Sequence, residues 1–347
     1  AMNEQRMKQD IEKICATEIA MFGSAPFQDY TFMTMATANG YGGLEHPNST
    51  SLICPREDLP KAHEADEPSK EYQRFLGLCS HEYFHSWLVK FIRPENFVNY
   101  DLNKEGYTTL LWIFEGFTSY YDDLILLRSG VINQDSYLTL LKAQIDRYLQ
   151  NPGRAVQTVA ESSFDAWVKF YRQDENSNNA GTSYYNKGCL VALCLDLGLR
   201  LRGSSLDALL RKMYEHAQQG IQVSERTIFE LCKAFTGDDW TEQIHHLINT
   251  TDELPLDQLL PEFGMSYLLK EEKSLPFGLK VQDKPEGVLV QSTRRDGSAA
   301  QAGLSAHDVI VAIDGLKASE KLLIQYAKQA GTFDIYAFRR DEFMQFE

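Results

Sequence analysis

The sequence predicts an α+β, multidomain chain: a small β-sheet near the N-terminus, a mostly helical body, then a second and smaller α+β domain. Three observations lead there. The chain has 347 residues, 43% of them hydrophobic and 12% aromatic, enough to bury a large core and to form more than one domain. Alternating β-rich runs at 30–37 and 49–54 give way to a long series of amphipathic helical patterns. Near Pro261 the texture changes again, to short strand-like runs separated by Gly, Pro and Asp.

The elements follow in order. Met7, Ile11, Ile14, Cys15, Ile19 and Phe22 recur at helical intervals, so 3–22 reads as an opening helix that ends at Gly23. Asn39 to Asn48 lies between the two strands, with 42–46 expected on a strand edge, and its three glycines permit tight backbone geometry and close approach of a ligand. A polar loop, 55–68, leads to Ser69, an N-cap for a helix that runs to Arg93-Pro94. An apolar helical stripe covers 107–127, with Glu115 inside it, and further helices are expected at 134–149, 184–201, 205–216, 224–235 and 240–249. Strands are expected at 278–282, 287–292, 308–312 and 332–339, with a helix around 321–328. The expected division is 1–265 and 266–347, the boundary falling within Glu262 to Ser274, and the last strand reads as clipped at Glu347.

Composition narrows the function. With 34 basic and 49 acidic residues the formal charge is −15, which argues against nucleic acid or an anionic membrane as main partner and welcomes a cationic substrate group. No apolar run is long enough to cross a bilayer, so a soluble protein is expected. The six cysteines form no C-x-x-C pair and read as buried reduced thiols, which favours the cytoplasm over the periplasm without fixing the compartment.

His81-Glu82-Tyr83-Phe84-His85 is the stretch with the most chemistry in it. On a helix, the i, i+4 spacing brings both imidazoles onto one face, where they can share a cation, and Glu82 flanks it. Two imidazoles and a carboxylate suit one Zn²⁺ in an open site, with water as a remaining ligand and Glu82 as its proton acceptor. Such a site lacks one protein ligand. Glu115, between Phe114 and Phe117, is costly to bury unless a cation neutralises it, which makes it the candidate third ligand.

These motifs carry a family resemblance. His81-Glu82-x-x-His85 with Glu115-Gly116-Phe117 resembles the gluzincin metallopeptidases, whose fold is thermolysin-like and mostly helical. The gap between His85 and Glu115, residues 86–114, is longer than in the aminopeptidase N group and resembles instead the glycyl aminopeptidase family, whose members carry a C-terminal PDZ domain. The resemblance implies a role for Glu45, in Gly42-Gly43-Leu44-Glu45-His46, as the carboxylate that binds the substrate's α-amine; taken alone, Glu45 is a solvated turn residue. It implies that Tyr185, in Tyr184-Tyr185-Asn186-Lys187-Gly188, stabilises the oxyanion, with Tyr184 the other candidate one residue away. Ser119, one turn past Glu115, is placed to orient a ligand or simply to face solvent. Gly278-Leu279, Gly287 to Val290, Gly297 to Leu304 and Asp308 to Gly315 resemble a PDZ-like domain, which would bind an extended peptide or serve only as a packing domain. The resemblance also implies an N-terminal β domain ahead of the catalytic one, and this sequence is expected to start almost at the catalytic domain.

The implied function is a zinc aminopeptidase cleaving the first peptide bond of peptides with a free N-terminus and a small first residue, Gly or Ala. Two alternatives stand beside it: a zinc endopeptidase in which Glu45 is idle, and a PDZ-bearing peptide-binding protein whose peptidase domain is idle.

Overall fold

A computed structural model describes residues 2–63, 66–268 and 276–347. Residues 64–65 of the expected polar loop, and 269–274 of the expected domain boundary, lie outside the described residues. In chain order the elements are α1 (Glu4–Phe22), β1 (Thr31–Thr37), β2 (Gly42–His46), β3 (Ser49–Pro55), α2 (Lys70–Phe84), α3 (Leu111–Phe114), α4 (Gly116–Arg128), α5 (Gln134–Leu149), α6 (Val159–Phe164), α7 (Ser177–Ala180) and α8 (Asn186–Arg200). They continue with α9 (Leu206–Gln218), α10 (Thr227–Thr236), α11 (Thr241–Asn249), α12 (Leu256–Leu259), β4 (Leu279–Lys284), β5 (Gly287–Thr293), α13 (Ser298–Gln301), β6 (Val309–Ile313), β7 (Leu316–Lys317), α14 (Glu320–Tyr326), β8 (Ile335–Arg339) and β9 (Glu342–Phe346).

Two compact units are formed, one from 1–148, 158–166 and 183–267, the other from 149–157, 167–182 and 268–347. In the first, the sheet runs β1-β3-β2, with β1 parallel and β2 antiparallel to the central β3. The stretch 42–46, expected at a strand edge, forms the edge strand β2. Its pairing sets Glu45 opposite Thr50 and Leu44 opposite Ser51.

Helix α2 packs against β2 and β3 on one side and against α1 and α4 on others. Its start is sequence-encoded: the Ser69 hydroxyl accepts from the Tyr72 N–H at 3.2 Å, and Glu71 lies in the first turn. Phe84, fully buried, stacks on Tyr121 of α4 with centroids 5.1 Å apart and packs on Phe22 of α1 at 5.3 Å. The residues between Glu82 and His85 are therefore the anchor that fastens α2 to its neighbours.

The helix ends at Phe84, with His85 as its cap, rather than running to Arg93-Pro94. Two backbone bonds close the chain beyond it: Lys90 N–H donates to the His85 carbonyl at 3.0 Å and Ile92 N–H to the Trp87 carbonyl at 2.7 Å. Val89 takes φ +124°, a conformation that costs a β-branched residue roughly 1–3 kcal/mol. The expected 107–127 helix also differs. It begins at Leu111 and is interrupted at Glu115.

Helices α4 and α8 cross closely because two glycines meet: a Cβ on Gly116 would lie 2.6 Å from the Gly188 backbone, and one on Gly188 would lie 2.9 Å from the Gly116 Cα. Each glycine directly follows or nearly follows a candidate site residue, Glu115 or Tyr185. Their contact is what lets those two side chains share one region.

In the second unit, an antiparallel sheet runs β4-β5-β6-β8-β9, with the short β7 paired to β6. Leu279, Val288, Val290, Ile310, Ile313, Leu323 and Ala337 form its core. Asp308, only 1% exposed, is held by Arg339 through two contacts of 2.8 Å. Asn179 donates to the Thr293 carbonyl at 2.7 Å and accepts from the Arg295 N–H at 2.8 Å, which ties the polar 174–179 stretch to the end of β5.

Candidate active site

His81 and His85 sit on the last turn and cap of α2, so their imidazoles emerge on one face with ring centroids 4.7 Å apart. Glu115, at the junction of α3 and α4, brings its Oε2 to 3.3 Å from His81 Nε2 and 3.2 Å from His85 Nε2. That carboxylate oxygen is buried and takes part in no hydrogen bond of acceptable geometry. Donors on a tetrahedron with metal bonds of about 2.05 Å stand about 3.3 Å apart, so both carboxylate–imidazole spacings suit side chains that share one small cation. Among the described residues, this is the group of His, Cys, Asp and Glu side chains whose donor atoms lie within 4.8 Å of one another.

Each imidazole is oriented through its second nitrogen. His85 Nδ1 lies 2.9 Å from the Leu88 carbonyl, and His81 Nδ1 lies 3.1 Å from Asp122 Oδ2. Both contacts assign the Nδ1–H tautomer and turn Nε2 toward the shared point. Asp122 went unnoticed in the sequence. It lies two helical turns after Glu115 on α4, hence on the same face, and that spacing was the available signal. The hydroxyl candidate, Ser119, is buried, but the ligand-orienting carboxylate comes one turn later.

Glu82 is 5% exposed and its Oε2 is buried without a hydrogen-bond partner. Burial raises its pKa, with the charges of Glu45 and Glu115 acting in the same direction and His81 and His85 opposing. Gly43 on β2 makes room for it: a Cβ there would overlap the Glu82 carboxyl group. Burial also disfavours ionisation of Glu115, but the charge of His85 and the contacts with both imidazoles outweigh it and hold that carboxyl well below the usual range.

Glu45 on β2 is the partner of Lys90, whose Nζ stands 3.0 Å from Glu45 Oε1. Tyr185 occupies the N-cap of α8, with its ring centroid 6.2 Å from that of His81 and 4.8 Å from that of Tyr184. Tyr184 is fully packed away at 1% exposure, whereas Tyr185 is half-buried, which separates the two adjacent candidates. Lys187 is fully buried and donates to the Thr250 carbonyl at 3.3 Å.

Behind α2 lies a further buried acid. Glu18 of α1 is 0% exposed, accepts from the Ser80 hydroxyl at 2.9 Å, and leaves Oε2 without a partner. Burial pushes its carboxyl well above the ordinary 4.5, with Asp122 adding to the rise and the Ser80 bond opposing it. The folded chain therefore keeps a proton that the unfolded chain releases above about pH 4.5, and Glu18 weakens stability increasingly as pH climbs from there toward its folded pKa. Glu18→Gln should unfold at a higher temperature than the wild type at pH 8 and at an equal one at pH 4. Thermal scans at the two pH values check this, and a lower midpoint for the variant at pH 8 would contradict it.

Fold and site together resemble a metallopeptidase domain of the aminopeptidase kind. Residues 74–191 match the profile of the M61 glycyl aminopeptidase family, a span that contains His81, Glu82, His85, Glu115 and Tyr185. The structure of an aminopeptidase N family protein from Idiomarina loihiensis is 40% identical, with a TM-score of 0.91 over all of this chain and 62% of that one. The chain thus spans less than two thirds of that protein's length. An M1 zinc metallopeptidase from Deinococcus radiodurans and yeast LTA4 hydrolase each align at 16% identity with a TM-score of 0.45, over 71% of this chain and 46% and 35% of theirs. Comparison with curated proteins gives no match. Among the described residues, no helix is long and apolar enough to cross a membrane.

Proposed function

We propose that this chain is a zinc-dependent aminopeptidase that hydrolyses the first peptide bond of peptides with a small N-terminal residue, Gly or Ala. The observation that carries the reading is the approach of Glu115 Oε2 to 3.3 Å from His81 Nε2 and 3.2 Å from His85 Nε2, beside a Glu82 carboxylate whose buried Oε2 has no hydrogen-bond partner. His81, His85 and Glu115 would hold one Zn²⁺. When bound, the ion supplies a Lewis acid that polarises the scissile carbonyl and acidifies water.

The remaining work falls to the chain's own side chains. Glu82, its pKa raised by burial, accepts a proton from the attacking water and later returns it to the leaving amine. Tyr185 donates its phenolic hydrogen to the oxygen that gains charge as the carbonyl becomes tetrahedral. Glu45, at the edge of the sheet, holds the substrate's α-ammonium and so fixes which peptide bond reaches Glu82. What supports a small first residue is the M61 match, whose description is of glycyl aminopeptidases, together with the family resemblance.

For the second unit the reading is PDZ-like. It is supported by the antiparallel sheet and by an apolar cavity of about 180 Å³ lined by Phe277, Ala299, Leu304, Phe333, Ile335 and Phe346. Strand addition by an extended peptide beside such a pocket is the binding mode this implies.

Comparing two peptides that differ only in the N-terminal amine, one free and one acetylated, tests the aminopeptidase reading. Release of the first residue from the free peptide alone is expected. Comparable cleavage of the acetylated peptide would make the chain an endopeptidase with Glu45 uninvolved.

A further inference from the structure

The geometry points to Lys90 as a built-in competitor for the amine subsite, a residue that lowers the affinity for the substrate's α-ammonium. This rests on Glu45 being the amine-binding carboxylate. Lys90 presents a primary ammonium, the same chemical group as an uncapped peptide N-terminus, and its Nζ already stands 3.0 Å from Glu45 Oε1. Both side chains are partly covered, 27% exposed for Lys90 and 21% for Glu45, so the contact is not an open surface pair.

The backbone is shaped to put it there. Immediately after the cap residue His85 the chain folds back through Val89 at φ +124°, and the Lys90 N–H donates to the His85 carbonyl at 3.0 Å. The turn that presents the Leu88 carbonyl to His85 Nδ1 at 2.9 Å therefore also aims the next side chain but one at Glu45. A single strained turn serves both the orientation of a candidate ligand and the neutralisation of the candidate amine site.

An incoming α-ammonium meets two possibilities. It can displace Lys90 from Oε1, losing that pair, or it can take the other carboxylate oxygen and tolerate a like charge a few ångströms away. Either route weakens binding relative to a free carboxylate. Because a partly exposed lysine–carboxylate pair is weak, the penalty is a factor of about two to five in affinity. The pair is disturbed equally in the bound substrate and in the transition state, so it acts on KM and leaves kcat alone.

Steady-state kinetics of the zinc-loaded enzyme on a glycyl chromogenic substrate, with glycinamide binding by calorimetry, test this in three variants. Lys90→Met should lower KM and the glycinamide Kd two- to five-fold with kcat within two-fold, and Lys90→Arg should restore wild-type values because a cation again faces Glu45. Glu45→Gln should raise KM. If Glu45→Gln raises KM while Lys90→Met leaves it unchanged or raises it, the competitor role is overturned and the amine site stands. If Glu45→Gln has no effect, the amine site itself fails and the role of Lys90 falls with it. Should Lys90→Met not fold, Lys90→Gln, which keeps most of the stem, reads the same quantity.

Discussion

Glu82→Gln should abolish turnover while leaving the bound metal in place. The amide matches the carboxylate in shape, so Gly43 still accommodates it and α2 keeps its packing, but it cannot accept a proton at neutral pH. Positioned general bases contribute roughly 10²–10⁴ in rate, and here the same group would also protonate the leaving amine, so a fall in kcat of at least about 10³ is expected. Zinc content should equal that of the wild type, because Glu82 is not among the three converging donors. Residual kcat within ten-fold of the wild type would sink the proton-transfer role, and loss of metal in this variant would mean that Glu82 is a ligand instead.

Tyr185→Phe should lower kcat by about 10²–10³ and leave KM nearly unchanged, since a donor aimed at a developing oxyanion stabilises the transition state more than the substrate. The ring stacks near His81 at 6.2 Å and near Tyr184 at 4.8 Å, contacts that phenylalanine retains. Loss of activity therefore would not reflect collapse of the N-terminus of α8. Tyr184→Phe is the control: its side chain is packed away, and its kcat should stay within a few-fold of the wild type. If the two variants exchange these phenotypes, the oxyanion donor is Tyr184.

Much of this site was visible in the sequence because its parts are short-range. The i, i+4 histidines need only a helix, and a glutamate flanked by Phe114 and Phe117 advertises a buried charge that must be neutralised. The core elements were legible for the same reason: α5, α8, α9, α10 and α11 each bury one stripe or a whole apolar surface, and the runs around β1 and β3 alternate. What escaped depends on contacts without a local pattern. The end of α2 at Phe84 is set by the turn through Val89, a residue whose type argues against its own backbone angle. The break at Glu115 and the close meeting of Gly116 with Gly188 join residues 72 positions apart, and Lys90 reaches Glu45 across 45. Asn179 and Thr293, which help hold the second unit together, are 114 apart.

Asp122 shows where the reading of residues could have gone further. Its carboxylate lies two turns beyond Glu115 on one helix face, and from there it accepts from the His81 ring. Ser119 sat nearer in sequence, but it is Asp122 whose Oδ2 lies 3.1 Å from His81 Nδ1.

Metal content of the purified chain, measured by elemental analysis on the wild type, His81→Ala and Glu115→Gln, bears most directly on the zinc centre. One zinc per wild-type chain, falling to a small fraction in both variants while Glu82→Gln retains it, is the expected result. Full zinc occupancy in His81→Ala and Glu115→Gln, or a wild-type chain that binds none when zinc is supplied, would contradict the assignment of His81, His85 and Glu115 as its ligands.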